Sequence, residues 1–97
     1  MEKIDVACVG ILVADILSDV LPRLPDPGEL ISVKEIYLAT GGCASNTAVS
    51  LTKIGLKAGV IGKVGNDIFG DFVVNYLKEN GVDVSTVSRS KEKTTSK

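Results

Sequence analysis

Two short apolar runs punctuated by glycine constrain this chain most: Ile4 to Gly10, rich in Val and Ile, and Lys57 to Val64, which carries Val60, Ile61 and Val64. Near-continuous apolar runs of this length read as strands buried on both faces, the pattern of a parallel sheet. Parallel neighbours need a crossover, and the intervening sequence offers one. After Gly41-Gly42, the residues Ala44, Ala48, Leu51 and Ile54 recur at helical spacing, and Gly55 suits the left-handed close of that helix. Gly65-Asn66-Asp67 then supplies a turn and a helix cap. Phe69, Phe72, Val73, Tyr76 and Leu77 fall on one stripe of a second helix, which Gly81 closes. Val82, Val84 and Val87 read as a third short strand before a polar stretch from Arg89 to Lys97.

The segment between the first strand and Gly41 does not fit this alternation. Ile16 to Leu21 and Leu30 to Leu38 read as two further extended segments, separated by Pro22, Pro25, Pro27 and Gly28, which form turns and break strands. Ile31, Val33, Ile36 and Leu38 do not alternate regularly, so their facing is open. The expected fold class is therefore α/β: a parallel, Rossmann-like sheet with flanking helices, plus a small two-stranded β excursion at about residues 16–38. At 97 residues there is room for one core and no second domain.

Composition narrows the function classes. An apolar fraction of 44% with 4% aromatics favours a packed core over disorder. The net charge is −1, and the one basic cluster, Arg89, Lys91, Lys93 and Lys97, is diluted by Glu92, so no electrostatic footprint for nucleic acid exists. Cys8 and Cys43 form no Cys-x-x-Cys pair and the chain has no His, which excludes the usual zinc spacings and a Ser-His-Asp triad. The apolar stretch from Val6 to Ala14 adjoins Asp5 and is too short to span a bilayer, so a cytoplasmic protein with no membrane partner is expected.

Two phosphate-binding motifs fail on inspection. A P-loop needs Ser or Thr after its Gly-Lys, and Gly62-Lys63 is followed by Val64. Gly62, Gly65 and Gly70 have the wrong intervals for the dinucleotide fingerprint, which tells against a nucleotide-dependent oxidoreductase. What remains is Gly41-Gly42-Cys43-Ala44-Ser45-Asn46 at a loop-to-helix junction. Two glycines let the backbone approach a ligand, the helix start offers free N–H groups, and Asn46 can donate and accept; such a site suits hydroxyls. Helix starts also need such residues for structure alone, and Asp15, just after a buried strand, is equally open to a solvated or a functional reading.

The combination is more specific than its parts. Gly10 and Asp15 after the first strand, Pro25-x-Pro-Gly-Glu before a second extended segment, and then GGCASNTAVSLTKIGLKAGVIGKVGNDIFGDFVVNYLKENGVDVS resemble the amino-terminal third of the ribokinase-like (PfkB) carbohydrate kinases in order and spacing. The resemblance runs from about Val6 to Thr94-Thr95. It implies a ribokinase-type sheet, and a β lid at about 16–38 that closes over the phosphate acceptor and joins a homodimer. It implies that Asp15, the backbone of Gly41 and Gly42, and Asn46 bind the acceptor, a sugar or nucleoside; Gly62, Gly65 and Gly70 read by their own chemistry as serving turns and close helix-sheet packing, and Asp67 as a helix cap rather than a catalyst. Cys43 stands where ribokinases carry Lys, and Val13 where they place an Asn near ribose; both departures tell against ribose as the acceptor.

The resemblance also implies ATP and Mg2+ in the full-length protein, with a monovalent cation as a further candidate. The family's general base sits in a Gly-x-Gly-Asp motif near the carboxyl end, which these residues do not include, so the base is expected beyond Lys97 and the 97-residue chain is expected to be an inactive amino-terminal part of one domain. The competing expectation is a non-catalytic ligand-binding or assembly protein that keeps the kinase fold.

Overall fold

The computed structural model describes residues 3–92. Lys93, Thr94, Thr95, Ser96 and Lys97, the end of the family resemblance and part of the basic cluster, lie outside the described residues. Seven elements follow in order: β1 (Val6–Val9), β2 (Val13–Ser18), β3 (Ile36–Gly41), α1 (Cys43–Lys53), β4 (Ala58–Gly65), α2 (Ile68–Glu79) and β5 (Val87–Ser90). Strands β1, β4 and β5 form a parallel sheet in that order, with Val6 opposite Ala58 and Gly62 opposite Val87. Strands β2 and β3 form a separate antiparallel ladder.

The core lies where the sheet meets its helices. Val60 and Val64 of β4 and Val73 and Leu77 of α2 are fully buried, with Cys8, Ala44, Ala48 and Val49 beside them. Burial at this depth is worth about 1.5–3 kcal/mol for each large aliphatic side chain. The other face of the sheet is uncovered: Val9 is 71% exposed and its partner Ile61 43%.

Local chemistry sets the helix ends. Asp67 accepts a hydrogen bond from the Gly70 N–H at 2.8 Å, so it caps α2 as its position after Gly65-Asn66 predicts. Gly70 then packs so tightly on the Gly65 carbonyl that any side chain there would strike backbone. Arg89 of β5 ties the same corner together, donating to the Gly65 carbonyl at 3.1 Å and pairing with Asp71 at 2.9 Å.

Three expectations need correction. The excursion's paired strands are Val13–Ser18 and Ile36–Gly41, closer to the body than the predicted Ile16–Leu21 and Leu30–Leu38. Residues 19–35 connect them irregularly, with prolines at 22, 25 and 27 that cannot donate to a ladder, and Ile31 and Val33 lie outside any strand. Ile54, counted on the apolar stripe of α1, is its C-cap and is exposed, since the helix has already ended at Lys53. The last strand starts at Val87; Val82 is instead buried beyond the end of α2, and Asp83 contributes a single parallel bridge to Gly59.

The ladder projects from the body. The Cα radius of gyration is 15.9 Å and the extents are 53 × 32 × 18 Å, longer than the radius of about 13 Å expected of a compact chain this size. At its far end, Arg23 grips Glu29 through two hydrogen bonds of 2.6 Å, and Glu29 also accepts from the Asp26 N–H at 2.9 Å. This bidentate fork fixes the proline-rich turn.

Candidate acceptor site

The four residues singled out in the sequence converge on one junction, where β2, β3 and α1 meet. Asp15 lies inside β2, not in a loop after β1, and is half-buried. Its register partner is Ala39, and Gly41 pairs with Val13 on the same face of the ladder. A Cβ at Gly41 would sit 2.6 Å from Asp15 Oδ2, so the carboxylate occupies the space that the missing side chain leaves. Gly42 has φ 93° and ψ 144°, a backbone region open in practice only to glycine, and abuts the Ile11 carbonyl. The two glycines thus do different work: one makes room for a carboxylate, the other turns the chain into α1 against β1's exit loop.

The start of α1 is open. Gly42 has no side chain to cap it and the first turn carries no acidic residue, so the leading N–H groups are available to an oxygen ligand. The first intrahelical bond runs from the Asn46 N–H to the Gly42 carbonyl at 3.1 Å, which fixes Asn46 one turn above the glycines with an exposed side chain. Among the described residues, neither the Asn46 carboxamide nor the Asp15 carboxylate has a hydrogen-bond or ion-pair partner. An acceptor-only group, a group that both donates and accepts, and free backbone donors are the complement that a polyhydroxylated molecule requires.

Cys43, the first residue of α1, is an exposed free thiol, while Cys8 is buried in β1. Both line a cavity of about 240 Å³ between β1 and α1. A wider cleft of about 620 Å³, lined by Ile4, Lys57 and Asp83 among others, opens at the start of β4, the end of that strand away from Gly65. It contains none of the four site residues, and its only shifted carboxyl, Asp83, is held below the usual range by the Ser85 N–H, a turn contact. Size alone does not make it the functional site. No group of three or more His, Cys, Asp or Glu side chains able to hold a metal occurs among the described residues, and none of their helices is long and apolar enough to cross a membrane.

A parallel α/β unit thus carries a projecting two-stranded ladder, and a carboxylate, a Gly-Gly turn and an amide lie where the two meet. The chain belongs to the pfkB family carbohydrate kinases, whose family model matches residues 3–97. It is 33% identical over 94 residues to the ribokinase of Mus musculus, covering 97% of this chain and 29% of that protein. It is 55% identical over 51 residues to a 5-dehydro-2-deoxygluconokinase of Clostridium perfringens, covering 53% of this chain and 15% of that one. Among solved structures, an uncharacterized sugar kinase from Pyrococcus horikoshii in complex with ATP superposes with a TM-score of 0.76 at 31% identity, over 93% of this chain and 28% of its own. The chain therefore spans less than a third of the length of each of these proteins.

Proposed function

We propose that this chain is the acceptor-binding part of a longer ATP-dependent kinase that transfers the γ-phosphate to a hydroxymethyl group of a sugar, sugar acid or nucleoside. The observation that carries this reading is the Asp15 carboxylate seated over Gly41, beside an uncapped helix start. In this role Asp15 accepts hydrogen bonds from acceptor hydroxyls, the N–H groups at Gly41 and Gly42 donate to them, and Asn46 does both. Phosphoryl transfer depends on holding the attacking oxygen in line and on stabilising the moving charge. These residues serve the first requirement. ATP, Mg2+, any monovalent cation and the general base belong to the remainder of the domain, beyond residue 97, on this reading; the ATP-bound relative supports the choice of nucleotide.

The projecting ladder acts as a lid over the acceptor. One of its faces carries Ile16 opposite Leu38, with Ile36 the next residue outward, all exposed. An apolar face of this kind seeks cover, and a second copy of the lid supplies it in a homodimer. The parent is taken as cytoplasmic, without membrane or nucleic-acid partners.

The direct test assays the full-length parent and the 97-residue chain side by side, with ATP, Mg2+ and a panel of 5-dehydro-2-deoxygluconate, ribose, fructose and adenosine. Acceptor-dependent ADP release from the parent alone is expected. Release from the isolated chain, or none from the parent with any sugar, sugar acid or nucleoside, overturns the reading.

A further inference from the structure

The register of the β2–β3 ladder places more than Asp15 on the face that overlooks the Gly41-Gly42 turn. Side chains alternate between faces, so Val13, Asp15 and Leu17 share one face with Gly41, Ala39 and Tyr37. Asp15 sits opposite Ala39, whose small side chain leaves the carboxylate room. The next pair outward is Leu17 opposite Tyr37. Both are exposed, Leu17 at 39% and Tyr37 at 51%. Directly opposed side chains stand about 5 Å apart, so these two form one continuous apolar surface. It begins two residues beyond the carboxylate, a step of roughly 7 Å along a strand, comparable with the breadth of a sugar ring.

We propose that Leu17 and Tyr37 form a platform that receives the C–H face of a ring-closed acceptor while Asp15 takes its hydroxyls, making these two residues determinants of acceptor specificity. Small-molecule sites pair a few fixed polar groups with apolar and aromatic walls, and this face supplies both within one ladder. The opposite face offers only Ile16, Ser18, Ile36 and Leu38 beyond the base of the ladder, with no carboxylate, and is the one left for a partner lid. The platform selects cyclic sugars and nucleosides over open-chain polyols, which present the same hydroxyls but no flat C–H face. This inference rests on the acceptor-site reading above and assigns its specificity.

In the full-length parent, Tyr37→Ala should raise the KM for cyclic acceptors about tenfold, an aromatic contact's worth, and Leu17→Ala somewhat less. Tyr37→Phe keeps the ring and should stay within about twofold of wild type. The KM for ATP and the oligomer mass should not change in any of these. An unchanged acceptor KM in Tyr37→Ala, an equal rise for ATP, or loss of the oligomer overturns the platform, the last by making the face an interface. Asp15→Ala separates failure of the acceptor site from failure of the platform. If it leaves acceptor KM unchanged, the acceptor site itself is misplaced; if it raises KM while Tyr37→Ala does not, only the platform fails. A second measurement does not depend on the alanine variant folding. The chain has two tyrosines and no tryptophan, so in a Tyr76→Phe parent the tyrosine emission of this region comes from Tyr37, read against a Tyr76→Phe/Tyr37→Phe control. Saturable change with ribose, fructose or adenosine and none with sorbitol is expected; no change with any of the three, or an equal change with sorbitol, overturns it.

Discussion

Gly41 and Gly42 stand side by side in the sequence and would respond differently to the same substitution. At Gly41 an alanine methyl would meet Asp15 Oδ2 at 2.6 Å, the end of a side chain that can swing away. Gly41→Ala should therefore leave thermal unfolding nearly unchanged and raise the acceptor KM, because the carboxylate has moved. At Gly42 the methyl would meet the Ile11 backbone carbonyl, and φ 93° with ψ 144° is closed to alanine. Gly42→Ala should cost about 1–3 kcal/mol of stability, read as a lowered melting temperature. Equal effects of the two on stability would contradict this division. The Gly-Gly pair itself is legible as a ligand-approach or helix-start turn, since glycine's freedom is local chemistry. Which glycine yields to a carboxylate and which to a carbonyl depends on β2, whose place the sequence does not reveal.

At the scale of elements, α2 with its cap and the first two parallel strands are legible in the sequence, whereas the end of α1 and the start of β5 are not. The stripe of Phe69, Val73 and Leu77, the cap at Asp67 and the apolar run of β4 are each decided within a few residues, and the structure keeps all of them. The strands of the lid differ from their expected bounds because they have no such local signature. Val13 to Ser18 reads as a continuation of the first apolar run, and only pairing with Ile36–Gly41 makes it a strand and turns Asp15 toward Gly41. Proline punctuation located the turn between the strands but not how far from it the pairing begins. The turn carries its own prediction. Glu29 is held down to about 2 from an ordinary 4.5, first by the Arg23 fork and then by the Asp26 N–H. Because the folded value is the lower one, the fork stabilises the turn fully above about pH 4.5 and is lost as pH falls through about 2. Following the Glu29 carboxyl by NMR should give a midpoint near 2, and Arg23→Ala should move it toward 4.5. A midpoint near 4.5 in the unsubstituted chain would mean that the fork does not hold in solution.

The molecule as a whole is a body and a projecting lid, and both carry exposed apolar side chains. Val9 and Ile61 lie on the uncovered face of the parallel sheet, while Ile16 and Leu38 lie on the lid. If the lids pair, Ile16→Lys and Leu38→Lys should each convert the parent from dimer to monomer by mass in solution. A monomeric wild type, or variants that both stay dimeric, would remove the lid as an interface. The junction of lid, turn and helix is proposed to hold the acceptor. Asp15→Ala and Asn46→Ala in the full-length parent test it most directly, with steady-state constants measured for acceptor and for ATP. Each substitution removes a partner from bound hydroxyls, worth about 1–3 kcal/mol, so kcat/KM for the acceptor should fall roughly ten- to hundredfold while the KM for ATP stays within about twofold. Acceptor kinetics unchanged in both variants would contradict the account.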